Sequence, residues 1–326
     1  MVTKRVFGKT SGGEIVAAYT ITNESGIAVT VLNYGATLQS VVIPYGNECV
    51  DVVLGYDTVE EYEQNDGYLG ASIGRYAGRV PNALLNLNGT VFPLSENEGS
   101  NQLHGGIRGF DKQIWNAETD ENRIVFTLRS EDGEEGYPGT VQCSAAYSLD
   151  GDTLSISYRG KTDRTTAWNP TNHAYWNLNG HDSGDARTHR LQLPASRFVP
   201  VGANMLPIDG ELDVSDTAFD FRHLRPICQG YDHSFVLDGG PIRLFGNRGI
   251  GMEIVTDCRA VQLYTANFLT PRRGKGGVNY DLYGAVCLET EGRQASKDAP
   301  IPVESVLCPG VGLTRRTAFR FITEED

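Results

Sequence analysis

No stretch of this sequence comes near the roughly 18 uninterrupted apolar residues of a membrane-spanning helix, so no membrane partner is expected. The opening MVTKRVFGKTSGGEIV has basic residues but no apolar segment behind them, which argues against a secretory signal peptide. Cysteine is sparse and scattered: Cys49, Cys143, Cys228, Cys258, Cys287 and Cys308, with no C-x-x-C pair. Zinc and disulfide frameworks need clustered spacings, so these are expected to be reduced, mostly packed thiols of a cytoplasmic protein. Positive charge is also short, with 28 Lys and Arg against 41 Asp and Glu, a formal charge of −13. That field repels phosphate backbones and excludes a nucleic-acid partner, while a neutral ligand such as a sugar is indifferent to it.

Other signals are missing too. Gly8-Lys9-Thr10 imitates the end of a phosphate-binding loop, but Thr3 stands where its first glycine is required. There is no H-E-x-x-H, EF-hand or G-x-S-x-G sequence, and the glycines between Gly239 and Gly251 lack a βαβ setting. No metal and no cofactor are therefore expected. Repeats, heptads and Pro/Ser/Gly linkers are absent, so residues 1–326 read as a single domain.

What the chain has is glycine, 38 residues of it, and period-two alternation. Arg123 to Arg129 and Thr153 to Tyr158 alternate clearly, and Gly13 to Asn23 and Ile27 to Pro44 are β-branched runs. Ala260 to Leu269, Ala285 to Thr290 and Thr314 to Phe321 repeat the pattern. Asn88-Gly89, Asp150-Gly151-Asp152 and Tyr45-Gly46-Asn47 mark hairpin turns between antiparallel strands. A short helix is signalled by the capping-box pattern at Asp57 to Glu60, and Pro271 to Asn279 reads as an exposed loop. An all-β chain of this length must stack its sheets to bury their apolar faces. The expectation is a large antiparallel β-sandwich with few short helices.

Chemistry-bearing residues cluster in a few strand-flanked patches. His104 precedes two glycines; it is a ligand contact or a turn histidine with a satisfied backbone bond. His173 lies among Trp168, Tyr175, Trp176 and several asparagines. Aromatic faces pack on sugar C–H faces and amides pair with hydroxyls, but the same cluster also suits a sheet core. Alternation puts Cys287 and Glu289 on one face of a strand, opposite Val286 and Leu288. A carboxylate on so apolar a strand needs a function or an arginine partner. Asp232 is a ligand contact or a turn cap, and Arg79 a ligand contact or a surface ion-pair former. His181, His189, His223 and His233 read as structural or exposed.

Taken in order, Gly74 to Arg79, Leu103 to Gly106, Thr171 to Leu178, Asp232-His233 and Cys287 to Glu291 resemble the aldose 1-epimerase (galactose mutarotase) family patterns G-R-x-A-N-R, L-H-G-G, T-N-H-x-Y-W-N-L, D-H and C-L-E-T-Q. Asn33 to Leu38, Glu131 to Gly139 and Thr317 to Phe321 extend the resemblance over essentially the whole chain. It implies a galactose mutarotase-like supersandwich and an isomerase of carbohydrate metabolism that exchanges the α and β anomers of free hexoses, such as galactose and glucose, without a cofactor. It implies His173 as general acid and Glu289 as general base. Arg79, His104, Asp232 and Gln262 would bind the sugar. A monomer or weak homodimer is expected. An imidazole and a carboxylate suit the task, because opening a hemiacetal ring gives the ring oxygen a proton and takes one from the C1 hydroxyl.

The sequence departs from the patterns at Gly78, where the family has Asn, at Glu291, where it has Gln, at Pro170, and over Gly292 to Ser296. These departures bear on sugar preference rather than on the acid–base pair, and Gly78→Asn is expected to be neutral or mildly improving, provided the backbone there does not require positive φ. Three other functions fit parts of the pattern: a glycosidase using Asp232 and Glu289, a non-catalytic sugar-binding module, and a phosphosugar epimerase using Arg272, Arg273 and Lys275.

Overall fold

The computed structural model describes residues 1–294 and 299–323. Turn chemistry and alternation build most of it. Asn88 and Gly89 take φ of 52° and 88° between Leu84–Leu87 and Thr90–Pro93, the two-residue turn whose twist suits an antiparallel hairpin. Val141–Asp150 and Thr153–Thr162 pair along their whole length around Gly151. Residues 27–44 are not one strand: Ala28–Leu32 and Thr37–Tyr45 fold back on each other at Gly35 and Ala36, both at positive φ. The helix starts later than its sequence signal. Thr58 caps Val59–Glu63 and Glu61 closes the box, giving the one α-helix among the described residues.

Three sheets carry the architecture. An N-terminal sheet takes its five strands, Val2–Lys9 to Glu48–Asp51, in chain order. A nine-stranded sheet begins with Asn116–Asp120, Arg123–Ser130, Val141–Asp150 and Thr153–Thr162, then continues through Leu313–Thr323 and Ile250–Thr256. The third, five-stranded, runs Leu212–Asp213, Arg197–Phe198, Asp232–Val236, Ala260–Tyr264, Cys287–Glu291. Their pairings are antiparallel. One buried cluster joins them, with Val31 and Val41 from the first, Phe126, Tyr147 and Phe319 from the second, and Phe235, Leu263 and Leu288 from the third. Each such side chain contributes about 1.5–3 kcal/mol when fully withdrawn from water. This is the strand-rich sandwich that alternation implied.

Residues 168–178 thread between sheets. Thr171–Asn172 pairs with Ser72–Ile73, His173 N–H donates to Ala71 O, and Trp176 exchanges both backbone bonds with Val286. So held, the segment alternates like a strand. Trp168 and Trp176 go to the core, 0% and 1% exposed, while His173 and Tyr175 face the other way, into a cleft.

Two expectations need correction. Cys143, Cys258 and Cys287 are buried, but Cys49, Cys228 and Cys308 are exposed, so half rather than most of the thiols are packed; none is in a disulfide. Residues 271–279 are not a plain loop: Arg272–Arg273 pairs with Asn279–Tyr280, and the turn between them buries Lys275. Its Nζ meets Asp51 Oδ2 at 2.6 Å and the Gln39 carbonyl at 3.0 Å, the partners a buried ammonium needs. No helix among the described residues is long and apolar enough to cross a membrane.

Candidate active site

The third sheet turns one face to the core and the other to a cleft of about 490 Å³. Period two decides which residue goes where. Ser234, Gln262 and Glu289 are cross-strand neighbours, and Asp232, Tyr264 and Cys287 form the next row on the same face. Phe235, Leu263 and Leu288 alternate to the core side. The face expected for Cys287 and Glu289 is therefore the cleft face, although Cys287 itself packs against Tyr175 and Tyr264 below the opening. Gln262 Nε2 donates to Asp232 Oδ1 at 2.6 Å, fixing both groups.

His173 enters from the threaded segment and stands 3.5 Å, Nε2 to Oε1, from Glu289; each side chain is 4% exposed. Thr171 Oγ1 donates to the Thr290 carbonyl at 3.0 Å and ties the two elements together. The imidazole lies between Tyr175 and Tyr68, stacked at centroid distances of 5.0 and 6.1 Å.

The third wall is the Arg79–Val80 and Gln102–Leu103 pairing. Arg79 grips Glu98 with Nε and Nη2, both at 2.8 Å, and its Nη1 lies 3.8 Å from Asp232 Oδ2. It is an ion-pair former, as its plainer reading held, and it lines the cleft as well. His104 likewise satisfies both of its readings. It sits in a turn at φ 52°, and its Nδ1 accepts the Gly78 N–H at 3.2 Å while it lines the cleft. A ring nitrogen that accepts carries no proton, so neutral His104 holds its proton on Nε2 and is a donor.

Burial dominates the electrostatics. It pushes Glu289 well above the usual carboxylate range, with Glu291 and Asp232 adding to the effect and Arg79 opposing it. Burial also pushes Asp232 up, against Arg79 and Gln262, and Glu291 up to about 7. It pushes His173 down to about 4, and His104 well below the usual imidazole range. Cys287 is pushed well up and has no thiolate character. Both shifts favour a neutral carboxyl beside a neutral imidazole over the ion pair.

His104, His173 and Glu289 bring one ligand atom each within 4.8 Å of the others, a spacing that also suits a divalent cation. With Gly78 N–H on Nδ1, a cation would have to displace the Nε2 proton of His104, so the hydrogen bonding favours the donor role.

All six sequence candidates, His173, Glu289, Arg79, His104, Asp232 and Gln262, line this one cleft. Asp232 is in a strand, not capping a turn, and the ion-pair partner of Glu289 among the described residues is His173, not an arginine. The asparagines near His173 serve the backbone instead: Asn172 Nδ2 donates to the Gly70 carbonyl, and Asn169 Oδ1 accepts from Gly292 N–H. Of the basic residues a phosphosugar epimerase would use, Arg272 lines the cleft but is paired with Asp66 at 2.6 Å, and Lys275 is buried against Asp51. Sequence reading missed Tyr68, Ser234 and the apolar wall of Val201 and Met205, and marked Glu291 and the segment holding Gln294 only as departures bearing on sugar preference. Alternation from Asp232 and from Glu289 points to Ser234 and Glu291; nothing local marks the others. Gly78 has φ +83°, so the proviso on the backbone is not met and Gly78→Asn is strained; a Cβ there would also fall 2.2 Å from the amide end of Gln294, which would have to move aside. The departure at residues 292–296 reaches past the described residues at Ala295 and Ser296.

The chain resembles known proteins along its whole length. The family model "Aldose 1-epimerase" matches residues 17–320. An aldose 1-epimerase of Haemophilus influenzae is 40% identical over 83% of this chain and 85% of its own. Bovine galactose mutarotase is 35% identical over 98% of both chains. A galactose 1-epimerase structure from Lactobacillus acidophilus superposes with a TM-score of 0.88 at 28% identity, covering 99% of both. On that match and those identities, the chain belongs to the aldose 1-epimerase family of isomerases.

Proposed function

We propose that this protein exchanges the α and β anomers of free hexoses such as galactose and glucose by acid–base opening of the ring. The observation that carries the reading is the His173–Glu289 contact at 3.5 Å, buried in the cleft that gathers the other polar candidates. Glu289 accepts no hydrogen bond from any other described residue, a cost that a purely structural carboxylate would not carry. Glu289 takes the C1 hydroxyl proton while His173 protonates the ring oxygen. Rotation about C1–C2 then presents the other carbonyl face, and the two transfers reverse.

The pair needs one proton between them. Ionised Glu289 with imidazolium His173 and neutral Glu289 with neutral His173 hold the same number, and a turnover passes from the first state to the second and back. Burial favours the neutral state and Arg79 opposes it, so hydrogen bonds from bound sugar hydroxyls to the Glu289 carboxylate draw the proton to His173. His104 Nε2–H, Arg79, Asp232 and Gln262 hold the hydroxyls; the alternating face that carries Asp232 and Gln262 and the wall that carries Arg79 and His104 support that role. Each acid or base supplies roughly 10²–10⁴-fold, enough for a reaction that already runs in water. A single working domain is supported by one core cluster that draws on residues from Ala17 to Phe321. The exposed unpaired thiols support a cytoplasmic, reducing setting.

Polarimetry tests the reading. Fresh α-glucose and α-galactose should equilibrate faster with enzyme, with a bell-shaped pH profile. The acid limb marks entry of a second proton on the pair and the alkaline limb marks loss of the first. Unchanged equilibration of both sugars would end the proposal.

A further inference from the structure

The amide of Gln294 occupies the place where a side chain of residue 78 would begin. A Cβ at Gly78 would lie 2.2 Å from its Nε2, 2.5 Å from its Oε1 and 2.7 Å from its Cδ. The backbone it covers is the piece that carries Arg79 and is bonded to His104 in both directions, Gly78 N–H to Nδ1 and His104 N–H to the Gly78 carbonyl. On its other side Gln294 Nε2 donates to Glu291 Oε1 at 2.6 Å. Glu291 is itself held, with Oε2 near Asn169 Nδ2 at 3.4 Å, and is two residues from Glu289 on the same strand. An amide with one N–H committed to a carboxylate keeps its second N–H and its carbonyl oxygen, and the carbonyl is its one acceptor. Among the described residues no donor reaches Gln294 Oε1, and Gln294 lines the cleft. A half-buried acceptor left open beside a cleft of donors and acceptors is suited to a hydroxyl.

We propose that Gln294 is a sugar-contacting, specificity-determining residue: admitted by the bare backbone of Gly78 and oriented by Glu291, its carbonyl accepts a hydrogen bond from one hydroxyl of the bound aldose on the Arg79–His104 side. This rests on the reading of the cleft as an anomer-exchange site. Glu291 is then a positioning residue, acting through the Gln294 amide. Glycine at position 78 and glutamine at 294 form a unit, because the space admits one polar side chain and here it comes from the later segment.

The test compares the parent and Gln294→Ala by polarimetry on galactose and on its 2-, 3-, 4- and 6-deoxy forms. On galactose, Gln294→Ala should raise KM about 3- to 10-fold, the worth of one neutral hydrogen bond, and leave kcat within about twofold. One deoxy sugar should have a raised KM with the parent but the same KM as galactose with the variant, because the lost hydroxyl and the lost carbonyl are the two ends of one bond. A packing role would raise KM for all five sugars alike. A parent that accelerates none of the sugars overturns the anomer-exchange reading and this inference with it. A working parent whose pattern across the deoxy series is unchanged in Gln294→Ala overturns this inference alone.

Discussion

Arg75 and Glu289 are both charged residue types and both almost out of reach of water, at 2% and 3% exposure. Around Arg75 every direction holds an acceptor. Ser130 Oγ and the carbonyls of Ser130, Glu131, Pro138 and Gly139 take its N–H groups at 2.7 to 3.2 Å, and Tyr137 lies under the guanidinium at 5.7 Å. The Glu131 to Gly139 segment thus closes round the first arginine of Gly74 to Arg79. Around Glu289 stand His173 at 3.5 Å and two carboxylates that repel it. A buried charge with all its hydrogen bonds made is a structural element; one left short of donors in a cleft holds proton affinity for something that binds there.

The strongest way to break this contrast is Glu289→Gln. It keeps the shape and cannot take a proton, so kcat should fall by about 10²–10⁴-fold while the fold holds or gains stability. Near-parent polarimetric rates would remove Glu289 from the chemistry. Arg75→Met should do the reverse. It strands a ring of carbonyls and should cost roughly 3–5 kcal/mol in urea unfolding, with much less effect on turnover per folded molecule. A stable but inactive Arg75→Met would dissolve the distinction.

Arg79 lies between the two cases, bound to Glu98 yet facing the cleft. Arg79→Ala should raise KM and lower kcat, each by about tenfold, if it also steadies charge on the sugar oxygens. Parent-like values in both would leave it as an ion-pair former only.

Glu291 sharpens the contrast through pH. Its folded pKa, pushed up to about 7, exceeds its unfolded value, so the folded protein holds a proton that the unfolded chain releases. Stability is then lost as pH rises from the unfolded pKa toward 7, and Glu291→Gln should recover on the order of 1–3 kcal/mol at pH 8 but little at pH 4.5. Equal melting shifts at both pH values would contradict this. The smallest effect is that of a chelator: EDTA dialysis should leave the rate unchanged, since the His104 proton is committed to donation. A rate that falls and returns with one divalent ion would convert His104, His173 and Glu289 into a metal site.

How far the site was legible depends on distance along the chain. The Glu289 face followed from alternation over a few residues, and the hairpin at Asn88-Gly89 from backbone preference alone. His173 was legible as chemistry, but whether Trp168 and Trp176 meet a sugar or the core was left open, because the segment's pairing with Val286 decides its faces. Residues 271–279 looked exposed because the partner that buries Lys275, Asp51, lies 224 positions earlier. Gly78 looked like a simple loss, since nothing near it in sequence tells that Gln294 fills its space.

Local chemistry therefore determined the strands, their turns and the inventory of acids, bases and amides, because alternation and φ preferences act over a few residues. Burial did not follow from it. Which carboxylate is left without donors, which histidine ends up between two tyrosines, and which side chain occupies the space beside Gly78 depend on segments brought together from opposite ends of the chain. Desolvation, the effect that sets the proton affinities of this site, exists only once the sheets have closed over it.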